Sequence, residues 1–121
     1  MIKKAKVPLF DAFVVHFCDD AQEMLDWAAK KRLQLDGPTD DYSACGGMVF
    51  SDGGQDLMMF VAPGQGGRVV AHESVHVAYH VCKMAGVPPT YKSQEVVAHL
   101  TDWAFGQFCS RIIGPQVESQ A

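Results

Sequence analysis

The residues with the clearest capacity for chemistry are His72-Glu73-Ser74-Val75-His76, an HExxH pattern. On a helix, positions i and i+4 share one face about one turn apart. The two imidazoles can then each place a nitrogen about 2.0–2.1 Å from one zinc ion. Glu73 neighbours the first histidine, so it cannot easily enter the same coordination shell, but it can reach a water on the metal. Zinc acidifies such a water and a glutamate accepts its proton, which is the arrangement for metal-assisted hydrolysis. Two helical histidines also have a plainer reading, as partly buried, hydrogen-bonded side chains.

A third ligand is available downstream. Glu95 lies 19 residues after His76, on the next expected helix, and a short Gly-Val-Pro-Pro turn lets the two helices pack together. Glu95, His99 and Asp102 fall at i, i+4 and i+7 and share one helical face, so all three can approach the metal. A carboxylate beside two neutral imidazoles leaves a net charge of about +1, which still polarises a bound water. In this segment, Gln94-Glu95-Val96-Val97-Ala98-His99, the chain resembles the gluzincin group of zinc metallopeptidases, in which HExxH is followed by a ligand glutamate on a downstream helix. The resemblance covers roughly residues 56–109. It implies His72, His76 and Glu95 as ligands of one Zn2+ per chain, Glu73 as general base, and a minimal zincin-like domain. The chain's size is also similar, more loosely, to very small HExxH proteins encoded by phages and mobile elements.

The departures from that pattern are specific. His99 stands where larger gluzincins carry an acid that orients the first histidine. Asp102, one turn on, can take that role, and His99, Asp102 and His80 are the candidates for orienting a ligand histidine through its free N–H. With 26 residues after Glu95, no distal histidine is expected to stabilise an oxyanion, and Tyr91 or Tyr79 is the candidate substitute. The metzincin pattern fails, because Tyr79 and Cys82 stand where it needs Gly and His.

Other polar residues read as structural. His80 continues the stripe of His72 and His76, but three ligands in a row on one straight helix cannot converge on one small ion. Cys82 falls off the stripe and reads as core, and His16 reads as a satisfied buried histidine in a strand. Pro63-Gly64-Gln65-Gly66-Gly67 lacks the Gly-Lys-Ser/Thr of a phosphate loop and reads as a turn beside the zinc site.

The elements that must position these groups follow from pattern. Leu9–Cys18 is rich in aromatic and β-branched residues and predicts a buried strand. Asp20 and Glu23 form a capping box for a helix over Ala21–Leu33, with Lys30, Lys31 and Arg32 in its last turn. Residues 36–41 read as a loop. Ala44–Phe50 and Asp56–Ala62 form a hairpin around Ser51-Asp52-Gly53-Gly54. Helices follow over Arg68–Ala85, stopped by Gly86 and Pro88-Pro89, and over Tyr91–Ile113, with Thr90 as cap and Gly114-Pro115 as stop. Residues 115–121 read as a loose tail. The result is a single α+β domain, residues 1–121, in the order β-α-β-β-α-α, with a sheet of about three strands. Leu57–Ala62 is expected either as an edge that pairs with an extended substrate through its backbone or as an interior hairpin strand.

Composition narrows the partners. At 121 residues and 48% hydrophobic, the chain can bury one core. A net charge of −4 argues against a general nucleic-acid binder, and no apolar run reaches the length of a membrane span. Cys18, Cys45, Cys82 and Cys109 have no CxxC spacing and no secretion signal precedes them, so four reduced thiols and a cytoplasmic location are expected. The expected function is hydrolysis of a peptide or amide bond in a peptide or protein substrate. The rival is a zinc-stabilised binding or assembly protein with little or no activity, since 121 residues leave little wall for a cleft. A third reading has no metal and two coincidental histidines.

Overall fold

A computed structural model describes residues 1–8, 10, 12–35 and 46–114. The expected loop over 36–41, the first residues of the hairpin, the Cys45 thiol and the tail over 115–121 lie outside the described residues. The elements are β1 (Lys3–Lys6), β2 (Val14–Cys18), α1 (Ala21–Lys30), β3 (Gly47–Ser51), β4 (Asp56–Val61), α2 (Gly67–Ala85) and α3 (Gln94–Phe108). A 3-10 turn over Tyr91–Ser93 leads into α3, and a π turn over Cys109–Ile113 leaves it. None of these helices is long and apolar enough to cross a membrane.

This is an α+β fold with a mixed four-stranded sheet in the order β1-β2-β4-β3. β1 is antiparallel to β2, β2 is parallel to β4, and β3 is antiparallel to β4. The observed order is β-β-α-β-β-α-α, one strand more than the pattern predicts. Lys3, Lys4 and Lys6 hide β1 from any hydrophobic reading, because lysines are what an edge strand carries to refuse further pairing. Of the first expected strand, Val14–Cys18 forms β2 and Phe13 N–H turns back to the Phe10 carbonyl, while Leu9 and Asp11 lie outside the described residues.

β4 reads Asp-Leu-Met-Met-Phe-Val because it is buried on both faces. Leu57, Met59 and Val61 join a core with Val15, Phe17, Val77, Val81, Leu100, Ala104 and Phe108, under α2 and α3. Met58, Phe60 and Ala62 join a second cluster with Cys18 and Met24, under α1. The sheet is thus the middle of three layers, with α1 on one face and the α2–α3 pair on the other. β4 is interior, so of the two readings of Leu57–Ala62 the interior hairpin strand holds and the edge does not: the edge beside α2 is β3.

Local chemistry sets the helix ends. Asp20 Oδ1 accepts the Glu23 N–H at 2.9 Å and caps α1. The capping box is only half made, because Glu23 turns to the Met1 amino group at 2.7 Å. α1 stops at Lys30, three residues early, where Arg32 enters the left-handed region at φ 57°. α2 ends at Gly86, φ 75°, whose N–H returns to the Lys83 carbonyl, while Val87 N–H reaches that of Cys82. Ser93 Oγ accepts the Thr90 N–H at 2.8 Å and donates to the Pro88 carbonyl at 2.6 Å, closing the turn into α3.

His16 is the satisfied histidine its strand predicts. Its Nε2 meets Asp56 Oδ1 at 2.8 Å and its ring lies on Trp27. Lys31 Nζ bridges Asp56 (3.1 Å) and Asp52 (3.3 Å), tying α1 to the β3–β4 hairpin.

Candidate metal centre

α2 leaves β4 through the glycine-rich turn and packs its Val70, Ser74, Val77 and Val81 face on the core. The opposite face carries His72, Val75, His76 and Tyr79, all exposed. His72 and His76 meet there with Nε2 atoms 3.3 Å apart. Two nitrogens at that separation, each about 2.05 Å from one ion, subtend about 107° at it, close to the tetrahedral angle of zinc sites. Between two neutral imidazoles one hydrogen can be shared, whereas a cation engages both lone pairs.

Glu73 points to the side of this pair. It is only 6% exposed, and no group among the described residues hydrogen-bonds its carboxylate. Burial raises its carboxyl above the ordinary value, and His72 and His76 pull in the opposite direction. The strand edge makes room for it: a Cβ on Gly47 would lie 2.8 Å from Glu73 Cγ and 2.8 Å from the Phe60 carbonyl oxygen. Glycine at 47 thus lets β3 lie directly against the acid.

Two cavities flank the histidines. One, of about 580 Å³, is lined by Gly46, Gly47, Gly66, Arg68, Val69, His72 and Glu73. The other, of about 510 Å³, runs from His76 and Tyr79 to the α2–α3 turn at Val87, Pro88 and Pro89. His72 thus lines one cavity and His76 the other, and β3 borders the first through Gly47.

No family model, curated protein or solved structure matches this chain.

The remaining candidates are placed less tightly. Glu95 is 84% exposed on α3, with its carboxylate 3.9 Å from His99 Nε2. Among the described residues no three His, Cys, Asp or Glu side chains converge into a metal-binding group, so His72 and His76 are brought together and Glu95 is not. His99 and Asp102 are exposed on the same face of α3, and no hydrogen bond joins either to a histidine of α2. His80 is half-buried and lines the second cavity, and burial lowers its pKa, as do His76 and Lys83. Tyr79 shares that cavity with His76, whereas Tyr91, 83% exposed, lines neither. Cys82 is core. Sequence reasoning missed Gly46, Gly47 and Arg68. The position of Arg68 one turn before His72 was a usable signal, and the glycine pair before a strand was another.

Proposed function

We propose that this protein is a zinc-dependent hydrolase of peptide or amide bonds. The observation that carries the reading is the His72–His76 pair, 3.3 Å apart at Nε2, with His72 lining the same cavity as the buried Glu73. His72 and His76 would hold the metal as two ligands, and Glu95, exposed on a helix packed along α2, would have to turn toward them to serve as the third. Zinc, when bound, supplies the Lewis acidity that makes a coordinated water nucleophilic and stabilises charge on the carbonyl oxygen. Glu73 holds the proton taken from that water and delivers it to the departing nitrogen, a task helped by its burial. β3 is antiparallel to its neighbour and lies at the sheet edge, with Val49 and Ser51 turning their backbone groups away from β4. A sheet edge beside an HExxH helix, followed by a glutamate-bearing helix, is the zincin-like arrangement.

The test joins metal and activity. Protein reconstituted with zinc should hold one equivalent, and Glu73→Gln should keep it while losing about 100-fold or more in peptide hydrolysis. Far less than one equivalent removes the site. One equivalent without cleavage of any peptide in a broad library favours the zinc-stabilised binding protein.

A further inference from the structure

Arg68 stands one turn before His72 on the same face of α2 and lines the cavity that holds His72 and Glu73. Three other lining residues are glycines, so Arg68 is the one permanent cation among them. No carboxylate among the described residues pairs with it. α2 has no acidic residue in its first turn and no side-chain cap, and a helix disfavours a cation at that end. Lys83, the cation of the other cavity, occupies the last turn, where the helix favours it. Glu73, more than nine-tenths buried and without a hydrogen-bond partner among the described residues, opens into the Arg68 cavity.

The direction of a bound chain follows from the fold. A Cβ on Gly46 would touch Val69 at 3.8 Å, Gly47 abuts Glu73, and Ser51 Oγ lies 3.7 Å from Met84 Sδ. β3 and α2 therefore run the same way. Residues 47–51 span about 13 Å of strand and residues 73–84 about 16 Å of helix, so the two remain in step. An extended peptide pairing antiparallel to β3, the more stable mode, runs the opposite way. Its carboxyl-terminal half travels from the histidines toward Arg68. The histidine pair is centred about 9 Å along α2 from Arg68, about three residues of extended chain.

We infer that Arg68 is a specificity residue that binds a carboxylate of the substrate on the carboxyl-terminal side of the scissile bond, within about three residues of it. The inference rests on the peptidase reading for the course of the chain. Guanidinium and carboxylate match as two parallel charge-assisted hydrogen bonds. The carboxylate is supplied either by an Asp or Glu side chain or by the peptide's own terminus.

The experiment measures equilibrium binding to full-length, zinc-loaded Glu73→Gln protein by fluorescence anisotropy. The probes are matched labelled peptides: an internal series with Asp or Asn at each successive position and an amidated end, and a truncation series with a free terminal carboxylate or its amide. Carboxylate peptides should bind about tenfold more tightly than their neutral partners. That ratio should fall to about twofold or less with Arg68→Ala added, shrink with salt, and reverse toward Lys-containing peptides with Arg68→Glu. The series that carries the preference identifies the source of the carboxylate. Thermal melts confirm that the variants fold, since Arg68 is exposed. Binding without a carboxylate preference, a preference that survives Arg68→Ala, or no binding overturns the inference. If zinc-loaded wild type still cleaves peptides, the hydrolase reading stands without it. An Arg68-dependent preference in a protein that cleaves nothing keeps the carboxylate site and removes the hydrolase reading.

Discussion

Replacing Gly47 with alanine inserts one methyl group at the tightest point of the candidate site. The new carbon would lie 2.8 Å from Glu73 Cγ, 3.2 Å from Glu73 Cδ and 2.8 Å from the Phe60 carbonyl oxygen. The first two contacts can be relieved if the side chain swings. The third is backbone of the paired strand β4 and can be relieved only if β3 shifts. Overpacking of this kind costs about 1–3 kcal/mol, and the reduced entropy of the unfolded chain returns about 0.4–1 kcal/mol. The expected net loss is about 1.3 kcal/mol, or about 5 °C in Tm for a domain of this length. Gly46→Ala is the control, because its methyl would meet only Gln65 and Val69 side chains at 3.7–3.8 Å. That variant should melt at or slightly above wild type. In a Glu73→Ala background the penalty of Gly47→Ala should fall by about 1 kcal/mol, a coupling typical of residues in contact. Calorimetric or denaturant melts of the variants measure all of this. If Gly47→Ala melts with Gly46→Ala, or if removing Glu73 leaves its penalty unchanged, the close approach of β3 to Glu73 is wrong.

Asp56→Asn should destabilise the fold by about 1 kcal/mol at neutral pH. Burial works to raise the Asp56 carboxyl, but hydrogen bonds from His16 and Lys31 outweigh it and hold the value below the ordinary one. The contribution is therefore present above about pH 4 and is lost as acid titrates through the lower folded value. The gap between wild type and variant should close on acidification. Cys18 and Cys82 are buried, with thiols pushed up chiefly by burial, and Cys109 is partly exposed. A thiol reagent should accordingly label Cys109 before unfolding, and Cys18 and Cys82 only with it. Glu95→Ala should weaken zinc binding more than the 10–100-fold expected for His99→Ala or Asp102→Ala, read by competition with a coloured chelator. A larger effect of His99→Ala would move the third ligand.

How much of this was legible in the chain depends on the range of the interaction. The ends of α2 and the stop at Gly86 follow from local backbone chemistry, and both were readable to within a residue. The meeting of His72 and His76 was readable for the same reason, since i and i+4 on a helix need no tertiary knowledge. β1 was not, because Lys3, Lys4 and Lys6 stay at an edge through pairing alone and bury nothing. The neighbours of β4 depend on which strands meet across the chain, and no periodicity encodes that. Its unbroken apolar run was nevertheless the mark of an interior strand. Glu95 lies with His99 and Asp102 on the exposed face of α3, and which face of a helix turns to its neighbour is set by tertiary packing, beyond the reach of spacing.

The sheet ends in two edges of opposite character. Lys3, Lys4 and Lys6 crowd the β1 edge with charge, whereas β3, Gly47-Met48-Val49-Phe50-Ser51, has none. Charge on one edge and its absence on the other make strand stacking between molecules one-sided. A second molecule is repelled at β1 and, among the described residues, meets no such charge on β3. Self-association in concentrated solution should therefore begin at β3, and a peptide seated on that edge would act against it as a stopper. Colloidal stability and occupancy of that edge would then rise together.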